Sequence, residues 1–189
     1  MRRGTSTLAL LGLSALGVVA GCSVTPKQAY ELRRLLPSAE KREAERLAAV
    51  AWRLRFAGAE YLVLPTTTPE GGLVFYGANG LQVSFDGREV TAIERLPGAY
   101  GSLRVEKSGD ERRYVRGGRR TYAVRCSPSI EWQVRPGQAG WRMECRGSLN
   151  DTPVVIRHTV DWDANRVPTR ISATIAPGTA PLVLTAPKK

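Results

Sequence analysis

From Glu60 onward the chain is written in short runs rich in Val, Ile, Thr and aromatic residues: EYLVLP, GLVFYG, LQVSFDG, REVTAIE, RRYVRG, RTYAVRC, IEWQVRP, WRMECRG, PVVIRHTVDW, TRISATIAP and LVLTAP. Gly, Pro, Asn and Asp separate them, which is the pattern of β-strands bounded by turns. No helix-length segment interrupts the series, so an antiparallel sheet is expected. Asn79-Gly80, Asp86-Gly87 and Gly117-Gly118 provide the positive φ that two-residue hairpin turns demand, and they join neighbouring runs into a meander. About ten strands in one open sheet would expose long edges, so the sheet is expected to roll into a barrel or close as a sandwich. The strand pattern is compatible with both.

Ahead of the strands the period changes. YELRRLL stops at Pro37, and Ser38 can cap a second helix, AEKREAERLAAVAWRL. Ala44, Leu47, Ala51 and Leu54 recur on one face of it, while Lys41, Arg42, Glu45 and Arg46 populate the other. Glu40 and Glu43 near its start and Arg53 and Arg55 near its end match the helix dipole. Gly58 is expected to end it. The domain therefore carries one or two N-terminal helices, the second packed on the sheet.

The first residues are of another kind. Arg2 and Arg3 precede an uncharged run from Thr5 to Ala20 dominated by Leu, Ala, Gly and Val, the charged and apolar regions of an export signal. The run is short for a membrane span, which needs about 20 apolar residues. It ends Val19-Ala20-Gly21 directly before Cys22, and that tetrapeptide reads as a lipobox. Residues 1–21 are expected to be a lipoprotein signal peptide, Cys22 the lipidated residue, 22–37 a tether, and 38–189 a single mainly-β domain. Several acyl chains on one cysteine anchor a protein stably. Ser23, being other than Asp, favours the periplasmic face of the outer membrane over the inner membrane.

Removal of residues 1–21 takes away Arg2 and Arg3 and no acid, which lowers the net charge from +11 to +9. It also leaves Cys126 and Cys145 as an even pair in an exported, oxidising setting, where a disulfide is expected. They are 19 positions apart, a loop whose closure stabilises by about 3 kcal/mol. A metal or redox site is the poorer reading: there is no CxxC, and His158 is the only histidine.

Enzymatic constellations are weak. His158 lies between Ile156 and Val160 on an apolar stripe, as a half-buried core histidine would. Asp161 and Asp163 flank Trp162 and share a face in an extended segment, as glycoside chemistry requires. Yet DWDANR reads more simply as a turn in which Asp163 bonds nearby backbone. Gly-rich phosphate loops and nucleotide motifs are absent, and no cofactor or metal is indicated. The segment RRYVRGGRRTYAVR places Arg112, Arg113, Arg116, Arg119, Arg120 and Arg125 around a hairpin with Tyr114 and Tyr122 between them. Alternation puts Arg112, Tyr114 and Arg116 on one side of a strand, with Arg120 and Tyr122 on one side of its partner. Guanidinium groups beside aromatic rings suit anionic ligands, acidic sugars among them. The competing reading is a solvated edge hairpin kept from aggregating by its charge. A lipid anchor argues against nucleic acid as the partner of this basic chain.

The stretch FAGAEYLVLPTTTPEGGLVFYGANGLQVSFDGREVTAIERLPG, with the lipobox and short helical region ahead of it, resembles the opening of the YjbF/GfcB lipoproteins, the group 4 capsule and exopolysaccharide family. HTVDWDANRVPTRISATIAPGTAPLVLTAPK resembles that family's ending. Tyr76 stands where the family has tryptophan, and the arginine-rich middle with Cys126 and Cys145 has no counterpart. The resemblance implies a barrel-like antiparallel domain and a role in assembling or exporting a surface polysaccharide; with the arginine hairpin, the expected function is a non-catalytic one that binds the acidic glycan or the export machinery. It carries no catalytic residues. The alternative function is a lipid-handling or lipoprotein-acceptor barrel.

Overall fold

The computed structural model describes residues 38–96, 100–135 and 138–187. The signal peptide 1–21, Cys22 and the tether 22–37, with its first helical run, lie outside the described residues. One helix, α1 (Ser38–Val50), leads into thirteen strands: β1 (Trp52–Phe56), β2 (Ala59–Thr67), β3 (Leu73–Gly77), β4 (Gln82–Phe85), β5 (Val90–Leu96), β6 (Gly101–Ser108), β7 (Glu111–Arg116), β8 (Arg119–Cys126), β9 (Ile130–Arg135), β10 (Gln138–Leu149), β11 (Thr152–Trp162), β12 (Pro168–Ala173) and β13 (Leu182–Thr185). Strands β1 to β8 form a continuous meander, β10 to β13 a second, and β13 pairs with β1. Because β8 also pairs with β10, twelve antiparallel strands close into a barrel. Closure decides between the two architectures left open above, and it leaves no long edge exposed. The remaining strand, β9, lies end to end with β8 along one edge of β10, and Ser127–Ser129 form the break between them.

Two strands depart from the sequence reading. The helix predicted through Leu54 ends at Val50, and Trp52, Leu54 and Phe56 face inward while Arg53 and Arg55 face solvent. An alternation of period two, paired on both sides by β13 and β2, overrides the three-to-four spacing that linked Leu54 to the helix. The predicted helical face is thereby divided: Leu54 is fully buried, whereas Leu47 on α1 is exposed. Gly58 is accordingly no helix stop. With Ala57 it supplies the two positive-φ residues of the β1–β2 turn. The other addition is β6, where Leu103 and Val105 point inward between Arg104 and Glu106. Its GSLRVEKS is too polar to stand out as a strand.

The predicted turns fall where expected, but only Gly117-Gly118 is a two-residue turn, with Arg116 opposite Arg119. Asn79-Gly80 belongs to the 3₁₀ turn Ala78–Gly80, and Asp86-Gly87 opens a four-residue connection in which Gly87 alone has positive φ. Asn79 and Gly80 take φ of 59° and 73°, and Gly117 and Gly118 take 54° and 76°. At Asp86-Gly87 the aspartate Oδ1 also accepts the backbone N–H groups of Arg88 and Glu89. Inside the barrel Leu54, Val63, Phe75, Val83, Ile93, Ile156, Val160, Ile171 and Leu184 belong to one buried cluster. Cys126 and Cys145 are directly opposite in the β8–β10 register and are joined as a disulfide.

Candidate functional site

The β7–β8 hairpin brings its arginines and tyrosines together, but largely on the inside. Arg112, Tyr114 and Arg116 do share a face of β7, and that face lines the barrel interior: Tyr114 is fully buried, Tyr122 and Arg112 are buried, and Arg116 is half-buried. The expected open ligand face is therefore corrected at Arg112, Tyr114 and Tyr122. The tyrosines occupy opposite positions across the strands and stack at 4.5 Å between ring centroids. Tyr122 Oη donates to the Ile175 carbonyl at 3.0 Å, and Arg116 lies over the Tyr100 ring. Ring area buried in the core outweighs what an exposed stacking platform would offer in the free protein. On β8 the register advances by two residues between Tyr122, opposite Tyr114, and Arg120, opposite Val115. That extra residue, Thr121, makes a bulge that interrupts the alternation of β8; the Arg120 side chain lies outside the described residues. Arg119 remains exposed at the hairpin tip.

Arg112 has a partner that sequence reasoning missed. Its Nε and Nη2 donate to both carboxylate oxygens of Glu89 at 2.8 and 2.9 Å, and its Nη1 donates to the carbonyls of Gly109 and Glu111. Lys107 Nζ also reaches Glu89 at 3.2 Å and bonds Asp86. Burial alone would raise the Glu89 pKa, but hydrogen bonding from Arg112 and the charges of Lys107 and Arg112 outweigh it, leaving the carboxyl below its ordinary value. The Glu89 pairing in turn raises Arg112. Beside this group His158 Nε2 lies 3.1 Å from Tyr114 Oη, while its Nδ1 is buried with no partner among the described residues. Burial pushes the imidazole down to about 4. It is thus a neutral core histidine, as the apolar stripe around it indicates. Asp163 Oδ1 accepts the N–H groups of Asn165 and Val167, each at 3.0 Å, which is the turn read in DWDANR.

The exposed arginines gather elsewhere, on the outward face of β7, β8, β10 and β11. Arg125 stands directly opposite Arg146 across β8 and β10. Glu144 takes both Arg146, at 2.8 Å, and Arg157, at 3.0 Å. Glu111, opposite Arg125 in register, already holds Arg113 at 2.8 Å. With Glu106, opposite Arg113 on β6, four arginines thus share three carboxylates, and the arginine side chains are open to solvent. The same face holds an aromatic partner. Trp132 on β9 lies over Gly140, where a Cβ would sit 2.5 Å from the ring, and Arg142 packs against that ring at 5.8 Å. The arginine-beside-aromatic arrangement expected on the β7–β8 hairpin is therefore found one strand further on, at Trp132 and Arg142. The signal was a tryptophan run followed by a glycine in the next one, since only glycine admits a ring lying flat on the opposing backbone.

No family model matches the chain, and no curated protein matches it. Among solved structures it is similar to the crystal structure of the hypothetical lipoprotein YmcC from Escherichia coli K12. The TM-score is 0.54, over 85% of this chain and 89% of that chain, at 12% identity. At that identity the likeness is one of fold.

Proposed function

We propose that this chain is a non-catalytic envelope lipoprotein, held through Cys22 at the periplasmic face of the outer membrane, that assists surface polysaccharide assembly or export by binding an acidic polymer. The observation that carries the reading is the outward arginine face, where Arg125 and Arg146 are directly apposed although like charges across strands disfavour folding. A polyanion lying across β7, β8, β10 and β11 relieves that repulsion, and Trp132 beside Arg142 offers a ring for the apolar side of a sugar. The lipobox, the resemblance to the YjbF/GfcB lipoproteins and the barrel shared with a hypothetical lipoprotein support the location. Binding without chemistry fits the structural employment of His158 and Asp163.

The test is retention on alginate, a polyuronate, at increasing salt. The Arg125→Glu/Arg146→Glu protein is expected to lose at least about tenfold in affinity with an unaltered melting curve, and binding by the unaltered chain is expected to weaken as salt screens the exposed charges. Undiminished, salt-independent retention of the folded variant would refute the reading.

A further inference from the structure

At one end of the barrel the β4–β5 turn, the β6–β7 turn and the Ser127–Ser129 break between β8 and β9 surround a cleft of about 480 Å³. Small-molecule sites span roughly 300–1,000 Å³. Its apolar wall is Trp141 and Met143, both buried, beside the Cys126–Cys145 disulfide. Its polar lining includes Arg88, Asp110, Ser127 and Ser129, exposed residues whose side chains make no hydrogen bond or ion pair among the described residues. Trp141 is almost wholly enclosed, so it closes the floor of the cleft and leaves the exposed polar groups around the rim as the ones a ligand meets.

Charge decides what kind of ligand fits. The lining holds two carboxylates, Glu89 and Asp110, and two guanidinium groups, Arg88 and Arg112. Arg112 is committed to Glu89 and to the Gly109 and Glu111 carbonyls, which leaves Arg88 and Asp110 as the open pair. An anion would face Asp110, and a cation would face Arg88. An acyl chain would strand both, with two serines, against hydrocarbon. A ring bearing several hydroxyls satisfies the open set, since each hydroxyl can donate to the Asp110 carboxylate and accept from the Arg88 guanidinium or a serine.

We propose that this cleft binds a neutral sugar residue. The proposal stands apart from the polyanion reading, because none of Arg113, Arg125, Arg146 or Arg157 lines the cleft. It is tested by calorimetric titration of the purified chain with maltotriose, cellotriose and mannotriose, and with trigalacturonate as the charged comparison. At least one neutral trisaccharide is expected to bind, and Asp110→Ala is expected to weaken it about tenfold, as removal of a hydrogen bond to a charged group does. Ser129→Val, on the exposed segment between β8 and β9, is expected to weaken it as well. Arg125→Glu/Arg146→Glu is expected to leave neutral-sugar binding unchanged while weakening retention on alginate by at least about tenfold. Binding of trigalacturonate alone, binding of none of the neutral probes, or neutral binding indifferent to both Asp110→Ala and Ser129→Val would overturn the assignment.

Discussion

Arg112 and Arg113 are chain neighbours on β7 with opposite surroundings. Arg112 faces the barrel interior, where its side chain is 11% exposed and Glu89 takes it with two hydrogen bonds. Arg113 faces solvent, 45% exposed, and pairs with Glu111 two positions back on its own strand. Both pairs have an N···O distance of 2.8 Å. The difference teaches that distance alone does not rank ion pairs. What ranks them is the water each partner regains when the other is removed: Glu111 is rehydrated at once, whereas Glu89 is enclosed by the β4–β5 turn, β7 and Lys107.

The largest effect is expected inside. Arg112→Met leaves Glu89 buried with Lys107 as its remaining charged partner, and breaking a buried pair in this way destabilises by about 3–5 kcal/mol. Chemical denaturation checks it. Adding Glu89→Leu to that variant is expected to restore most of the loss, because two apolar side chains need no compensation. A double variant no better than the single would mean that the interior depends on the charges themselves.

The disulfide lies in the same half of the barrel and comes next. Replacing Cys126 and Cys145 by alanine is expected to cost about 2–4 kcal/mol, from the closed loop of 19 positions. The loss should appear as a lower denaturation midpoint under oxidising conditions and vanish when wild type and variant are compared under reducing ones.

Acid should distinguish the interior too. The folded His158 titrates near 4, against about 6.5 in an unfolded chain. Between those values the unfolded state binds the proton and the native state does not, so stability falls as pH drops from about 6.5 to 4, by up to about 3 kcal/mol. Below its ordinary range Glu89, held low in the fold, adds a loss in the same direction. His158→Phe is expected to flatten the upper part of that profile and leave the lower part. An unchanged slope between pH 6.5 and 4 would assign the effect to other groups.

The strand alternation on β7 was legible in the sequence, and so were the turns at Asn79, Asp86 and Gly117, because each rests on local periodicity or on a positive-φ requirement. What local pattern does not carry is sign, meaning which of two faces points inward. Arg112, Tyr114 and Arg116 look like a polar platform until the partner is known, and Glu89 lies 23 positions away. The pairing of β5 with β6 and of β6 with β7 places the two together, and the curl of the sheet decides that their side is the inner one. Trp52-Arg53-Leu54-Arg55-Phe56 failed differently: five residues fit both a helix end and a strand, and the choice belongs to β2 and β13 on either side. The cysteine pair needed the least tertiary information, since reading Cys22 as an anchor leaves each of the other two with one possible mate.

The smallest expected effect lies outside, and it is the sharpest test of the comparison. Arg113→Met removes a pair as short as that of Arg112, on the same strand, one residue away. Water already solvates both partners, and such exposed pairs contribute little to stability. The denaturation midpoint is therefore expected to stay within experimental scatter of wild type, at low and high salt alike. A loss comparable to that of Arg112→Met would mean that the outer face of β7 is held by its charges as firmly as the inner one. The arginines of that face would then be structural rather than available, and Arg125 and Arg146 would lose their standing as a surface poised for a polyanion.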